Sequence, residues 1–342
     1  MKAYLLTELP QDIFNAGFKA KEDIRRVLLS DMVDLPVQES FRLDKLPAFA
    51  KLFRDLRRIP RGGRLFIQCP IYSFFNGKFL PILCRVLRRR QLRVTLILHD
   101  VESLRYPDRQ DKLLPLEKEL FALADTLIVH NACMKACLQQ THGVPADKMV
   151  ELGIFDYLYD KRPAGALSEF ARTVFVAGNL NPAKSGYIYR LGQVASSVTV
   201  NLYGNQFDAA AASASLHHQG AFPPDELPEH LTGNFGLVWD GDSVDSCTGQ
   251  TGEYLRINNP HKTSLYLAAG FPVIIWKQAA LASFIENNGL GLVVESLEEL
   301  PALFDNLTQE DYSCMLKRVQ ELGSRLREGA YIRQAVDEVA NR

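Results

Sequence analysis

Two short stretches carry side chains of the right type and spacing for group transfer. "LHDVESLRYP" (98–107) closes an apolar run with His99 and Asp100, and Glu102 and Arg105 follow at once. A carboxylate just past a strand end can accept the proton of an attacking hydroxyl, with Asp100 the first choice as base and Glu102 the second. The competing reading is an Asp that caps a helix or pairs with Arg105. "LRINNPHKTSLYLAAGFPVI" (255–274) places His261 and Lys262 in the first turn of a helix, with Asn259 as its expected N-cap and Pro260 at its first position. Aligned peptide dipoles already put roughly half a positive charge there, so each cation is opposed by about 0.3–1 kcal/mol unless an anion binds. With an anion, free N–H groups, Lys262 and His261 converge on one phosphate-sized ligand. The plain alternative is that both side chains turn into solvent.

Such residues need a scaffold, and the rest of the chain supplies one. Apolar runs at 3–7, 64–69, 93–100 and 126–131 alternate with helical patterns near 18–30, 44–57, 77–90, 111–123 and 131–141. After a polar, Pro- and Gly-bearing stretch (160–172), further runs follow at 173–179, 197–204, 235–241, 272–276 and 291–295. This alternation predicts an α/β protein of two Rossmann-like doubly wound domains facing across a cleft. The expected limits are 1–160 and 161–320, with a C-terminal helix over 321–342 that packs back on the first domain. At 342 residues, two domains are the natural division.

Ligands of doubly wound sheets bind beyond the strand C-termini, so the residues there are the site candidates. In the second half these are Gly178, Asn179, Lys184, Tyr203, Gly204, Asp240, Asn258, Asn259, His261 and Lys262. Together they offer cations and N–H groups for a diphosphate, an aromatic face for a base, and a carboxylate for a ribose. In the first half, Asn15, Gly17 and Lys19 follow one strand, and Tyr72, Phe74, Phe75 and Asn76 follow another. Aromatic side chains on such a loop suit a sugar ring, and packing between loop and helix explains them equally well. The polar stretch 242–257 reads as a lid over the ligand. There is no G-x-x-x-x-G-K-[ST] and no G-x-G-x-x-G after the first strand, which argues against a P-loop ATPase and a nicotinamide dehydrogenase.

A net charge of −1 conceals an asymmetry: residues 1–150 carry 25 Lys and Arg against 17 Asp and Glu, and the remainder 14 against 23. A basic half without interleaved base-stacking aromatics does not fit nucleic acid, and peripheral contact with a membrane surface is one use of it. The six cysteines lack the paired spacing of a zinc site, which with their apolar surroundings predicts a reducing cytoplasm. The N-terminus enters a strand without a signal-like region, and no apolar run reaches ~18 residues, so neither export nor a membrane span is expected.

"NAGFKA" followed by Asp23, "HDVESLR", "FVAGNL", "LVWDG" and above all "YLRINNPHKTSLYLAAGFPVI" resemble the bacterial galactofuranosyltransferases and the related glucosyltransferases that extend sugars on serine-rich-repeat adhesins. The similarity runs over about residues 1–295. The resemblance implies the two-domain B-type glycosyltransferase fold (GT-B), a UDP-sugar as donor substrate, a saccharide acceptor, no cofactor or metal, and assembly as a homo-oligomer, dimer or tetramer. By motif, Lys184, Tyr203, Asn259, His261 and Lys262 would surround UDP, and Asn15, Gly17, Asp100 and Arg105 would line the acceptor side. Many retaining enzymes of this fold place a Glu before the small-residue turn that follows this helix. Here that place, around Leu265, is apolar, so inversion by a single displacement is expected. The rival readings are a catalytically silent UDP-sugar-binding subunit that supports a partner transferase and a UDP-sugar epimerase.

Overall fold

The computed structural model describes residues 2–9, 16–39, 45–73, 78–161, 163, 165–195 and 197–342. Its contacts form two compact units, one of the chain up to Gly153 with Tyr331–Arg342, the other of Ile154–Ala330.

The first unit is a parallel sheet of β1 (Ala3–Leu9), β2 (Met32–Gln38), β3 (Arg64–Cys69), β4 (Arg93–Leu98), β5 (Thr126–Val129) and β6 (Met149–Glu151) in the order β2-β1-β3-β4-β5-β6. The central strands read as near-continuous apolar runs because helices cover both their faces. Helices α1 (Ala16–Leu28), α2 (Lys45–Arg58), α3 (Leu80–Arg90), the single turn α4 (Glu102–Arg105), α5 (Gln110–Leu123) and α6 (Ala132–His142) connect them. Leu52 and Leu56 of α2 share one core with Leu83 and Leu87 of α3 and with Leu65, Leu96 and Leu127 of the sheet. The chain leaves β1 toward β2, then crosses back over β1 to β3. The progression reverses between β1 and β3, and the crevice at such a reversal is where doubly wound sheets hold ligands.

In the second unit the strands are β7 (Thr173–Ala177), β8 (Thr199–Tyr203), β9 (Leu216–Gly220), β10 (Phe235–Val238), β11 (Val273–Trp276) and β12 (Gly291–Val294), all parallel, in the order β12-β11-β10-β7-β8-β9. Here the reversal falls between β7 and β10. The helices are α7 (Pro182–Val194), α8 (Leu227–His230), α9 (Gly249–Tyr254), α10 (His261–Ala268), α11 (Ala282–Asn288), α12 (Leu300–Asn306) and α13 (Gln309–Arg327). Residues 154–160 belong to this unit: the Tyr157 N–H donates to the Leu326 carbonyl (3.2 Å) and its hydroxyl to that of Pro224 (2.7 Å). The last helix, α14 (Ala330–Ala340), returns the chain to the first unit, where Arg342 donates to the Asp147 carbonyl at 2.5 Å.

Every apolar run named above is a strand. Strands β2, β6 and β9 are not foreseen by that pattern, and all of them are sheet edges. Edge strands tolerate what central ones do not, such as Pro36 and Asp34 in β2 or the polar "HHQ" of β9.

Candidate active site

On the first unit the polar groups collect at the C-terminal ends of β1, β3 and β4. Glu8, the penultimate residue of β1, is buried and accepts hydrogen bonds from the Tyr72 N–H (2.6 Å) and the Ser73 N–H (2.8 Å), which pins the turn after β3. Lys21 of α1 is buried beside it, donates to the Pro70 carbonyl (2.6 Å) and lies 5.0 Å from the Tyr72 ring centroid. Burial lowers the Lys21 pKa against the opposing pull of Glu8 and of Asp100.

Beyond β4, Asp100 binds Arg105 at 2.5 Å, and the same guanidinium nitrogen stands 3.9 Å from Glu102. The Glu102 Oε1 is buried without a hydrogen-bond partner among the described residues. Burial, reinforced by the Asp100 charge and opposed by Arg105, raises the Glu102 pKa from 4.5 to about 7. Burial also works against the charge of Arg105, but Asp100 and its neighbours hold its pKa above the usual value. A buried pair behind α4 sets this geometry. Glu117 of α5 accepts from the Ser103 N–H (3.2 Å) at the open start of that single turn. His142 of α6 lies 3.0 Å from Glu117, 3.4 Å from the Ser103 hydroxyl and 2.7 Å from that of Thr141.

On the second unit the site candidates gather where β7 and β10 diverge. Gly178 and Gly204 both adopt φ near +150°, and a Cβ on Gly204 would lie 1.7 Å from the Gly178 carbonyl oxygen. Gly178 has open space where its own Cβ would point. A ligand can therefore approach its backbone closely. Gly204→Ala is expected to destabilise the second unit by about 3 kcal/mol or more, because backbone has to move, and a thermal melt read by circular dichroism checks this.

Lys262 donates to the Trp239 carbonyl (2.9 Å) and to the Asp240 carboxylate (3.1 Å), so the helix tip, β10 and two of the expected site residues meet. The plain reading of Lys262 as a solvated side chain does not hold. His261 turns toward the 154–160 segment, with Nε2 3.3 Å from the Asp156 carbonyl and its ring 5.0 Å from that of Tyr157. Pro260, not Asn259, occupies the cap position, extended at φ −65°, ψ 129°, so α10 starts without a side-chain cap. Next to this open end, the Asn258 Oδ1 and the Thr263 Oγ1 are buried and have no partner among the described residues.

The match to the glucosyltransferase 3-like N-terminal domain covers residues 3–154, and that to the C-terminal domain of the same family covers residues 174–339. This chain belongs to the glucosyltransferase 3-like family. It is 31% identical over 342 residues to the beta-1,6-galactofuranosyltransferase WbbI of Escherichia coli K12, with 98% of each chain covered. It is 28% identical to glucosyltransferase 3 of Streptococcus gordonii over 80% of this chain and 78% of that one. Among solved structures, sucrose-phosphate synthase from Thermosynechococcus elongatus superposes with a TM-score of 0.63 at 11% identity, over 100% of this chain and 98% of that one. The fold is the GT-B architecture, and the family's activity is glycosyl transfer. Among the described residues, no helix is long and apolar enough to cross a membrane.

Several expectations for this glucosyltransferase 3-like chain need correction. Tyr203 offers no stacking face: it is 2% exposed, and its hydroxyl is 3.0 Å from that of Thr232. Lys19 is buried in an ion pair with Asp23 at 2.6 Å, so Lys21, two residues on, is the lysine among the strand-end polar groups. Gly17 belongs to the first turn of α1 rather than to a loop, while Asn15, Phe74, Phe75 and Asn76 lie outside the described residues. Asn179 accepts from the Asn181 N–H (2.9 Å) and shapes the turn into α7, whose first turn carries an exposed Lys184. The stretch 242–257 is an ordered, packed segment: a Cβ on Gly241 would meet the Thr248 carbonyl at 2.4 Å, the Val244 carbonyl accepts from the Leu297 N–H at 2.8 Å, and α9 fills the rest. Glu8, Lys21, Glu117 and His142 escape the sequence reading because a buried charged side chain looks like any other on an amphipathic helix or strand. For Glu8 and Lys21 the available signal was their place at a strand end and on the helix after it.

Proposed function

We propose that this glycosyltransferase moves a hexose from a UDP-sugar to a hydroxyl of a saccharide acceptor in surface polysaccharide or glycoprotein assembly, with inversion and without a metal ion. The observation that carries the reading is the uncapped start of α10 at the strand reversal, where Lys262 is held at the end of β10 by the Trp239 carbonyl and the Asp240 carboxylate. A diphosphate supplies negative charge for the helix end and a second anionic partner for Lys262, which already holds Asp240 at 3.1 Å. Lys184 and His261 add a cation and a hydrogen-bond donor, Asp240 is the ribose partner, and the bare backbone of Gly178 lets the nucleotide come close. WbbI, by its name, makes a β linkage, and a β product from an α-linked nucleotide sugar requires inversion.

In the proposed step the acceptor oxygen attacks the anomeric carbon and gives its proton to a carboxylate base. The bond from the anomeric carbon to the phosphate oxygen breaks, and its electron pair leaves with UDP. Glu102 is the better base of the pair: Asp100 is held by Arg105 at 2.5 Å, whereas Glu102 has a pKa of about 7, near the optimum for proton transfer at neutral pH. Fixed positive groups at the leaving diphosphate take the role a divalent ion plays elsewhere.

Incubation with UDP-glucose, UDP-galactose and UDP-galactofuranose, with and without a short acceptor glycan, tests the reading. UDP release that depends on the acceptor supports it. UDP binding with no turnover on any donor points instead to a silent subunit, and product formed from donor alone points to an epimerase.

A further inference from the structure

The segment 45–99 holds 13 Lys and Arg and a single acid, Asp55. A helix face that merely needs to be solvated interleaves both signs, since neighbouring like charges on a helix repel. Here Asp55 serves Lys51 (3.3 Å) and Arg58 (3.2 Å) and is the segment's one acidic residue. The burial pattern spaces them along one side of each helix. Exposed Arg54 and Arg57 lie one turn apart on α2, and exposed Arg85, Arg88 and Arg89 follow the same spacing on α3.

The two helices run side by side on the same sheet face. Phe49 of α2 meets Phe79, the residue before α3, at 4.7 Å between centroids, and at the other end Arg90 donates to the Arg57 carbonyl at 3.0 Å. Their solvent sides therefore form one surface. At the Phe49–Phe79 end that surface carries two bare aliphatic side chains, Leu46 at 67% exposure and Ile82 at 43%. Helix dipoles account for the arginines in the last turns, which face carbonyl ends, but not for Arg54 and Arg85, nor for two exposed aliphatics next to a field of cations.

We propose that the outer face of α2 and α3 is a docking surface for an anionic lipid bilayer, with the arginines on phosphate headgroups and Leu46 and Ile82 inserted at the interface. A lipid surface fits better than nucleic acid because the non-ionic groups on this face are aliphatic, and single-stranded nucleic acid is held by exposed aromatic platforms. It fits better than a second copy because cations of one sign over two helices match an extended sheet of anionic headgroups.

The test is co-sedimentation of the full chain with phosphatidylcholine vesicles and with vesicles that also contain phosphatidylglycerol, at low and high salt. Binding is expected only with the anionic lipid, and is expected to fall steeply with salt. Arg85→Ala and Arg89→Ala should each weaken partitioning about fivefold, and Ile82→Asp should weaken it at both salts. Turnover of a soluble acceptor should stay unchanged in all of them, which also reports that they fold. Three results overturn the proposal: equal sedimentation with neutral vesicles, retention of duplex DNA or RNA at salt that releases the vesicles, or self-association of the chain that the same arginine substitutions abolish.

Discussion

Glu102→Gln is expected to lower kcat/KM by about 10²–10⁴-fold while making the protein more stable at alkaline pH. Both effects have one cause. Folding removes the Glu102 carboxyl from water and sets it near Asp100, so its pKa rises from 4.5 to about 7. An acid whose pKa is raised by folding holds its proton more tightly in the folded state. Its contribution to stability is full below pH 4.5 and is lost as pH climbs through about 7. Glutamine cannot ionise and escapes that loss. Thermal melts of wild type and variant should coincide below about pH 4.5, separate progressively up to about pH 7 and stay apart above it, with the variant favoured by up to about 3 kcal/mol. The rate should show the reverse, since in the proposed step the ionised form is the base, and wild-type kcat/KM should decline as pH falls below about 7. Asp100→Asn separates the two carboxylates. Removing that negative charge, and releasing Arg105 toward Glu102 only 3.9 Å away, should move the acid limb to lower pH without abolishing turnover. A dead Asp100→Asn enzyme beside an active Glu102→Gln enzyme would exchange their roles.

Lys262→Ala is expected to weaken UDP binding by roughly 30- to 100-fold, a loss of about 2–3 kcal/mol, as measured by isothermal titration calorimetry. Two contributions add. In the proposed binding mode the substitution removes a charge-assisted hydrogen bond to the diphosphate, and it strips Asp240 of the partner 3.1 Å away, leaving a carboxylate exposed to an incoming anion. The pair is partly open to solvent, with side-chain exposures of 20% and 18%, so its own share of fold stability stays within about 1 kcal/mol. Binding and folding should therefore respond very differently, and the melting temperature should scarcely change. Adding Asp240→Asn to Lys262→Ala should recover part of the affinity by removing the uncompensated charge. Wild-type affinity in the Lys262→Ala protein would remove α10 from the nucleotide site.

The central strands are plain in the sequence because both their faces are buried, so "RLFIQC" and "RVTLIL" could hardly be anything else. Edge strands β2, β6 and β9 are not, because a strand paired on one side can carry Pro36, Asp34 or two histidines without cost to a central ladder. The same distinction runs through the site. Lys262 and Asp240 stand out as polar residues at the ends of apolar runs. Glu8, whose carboxylate holds the turn after β3, reads as one more residue of β1, and the Glu117–His142 pair as ordinary helix positions.

From local pattern alone the chain determines that it alternates strand and helix, that the alternation restarts after residue 160, and that a cationic helix tip and a pair of carboxylates follow apolar strands. Strand order was decided only in three dimensions. One sheet runs β2-β1-β3-β4-β5-β6 and the other β12-β11-β10-β7-β8-β9, although both arise from the same alternation. Each crossover helix can carry the chain to either side of the strand it leaves, and packing against distant strands selects the side. That selection sets β7 beside β10, at whose end Lys262 binds the Trp239 carbonyl and Asp240. It also buries Glu102 while leaving Asp100 to Arg105, so the environment of each carboxylate, rather than its place in the chain, sets which one can act as a base.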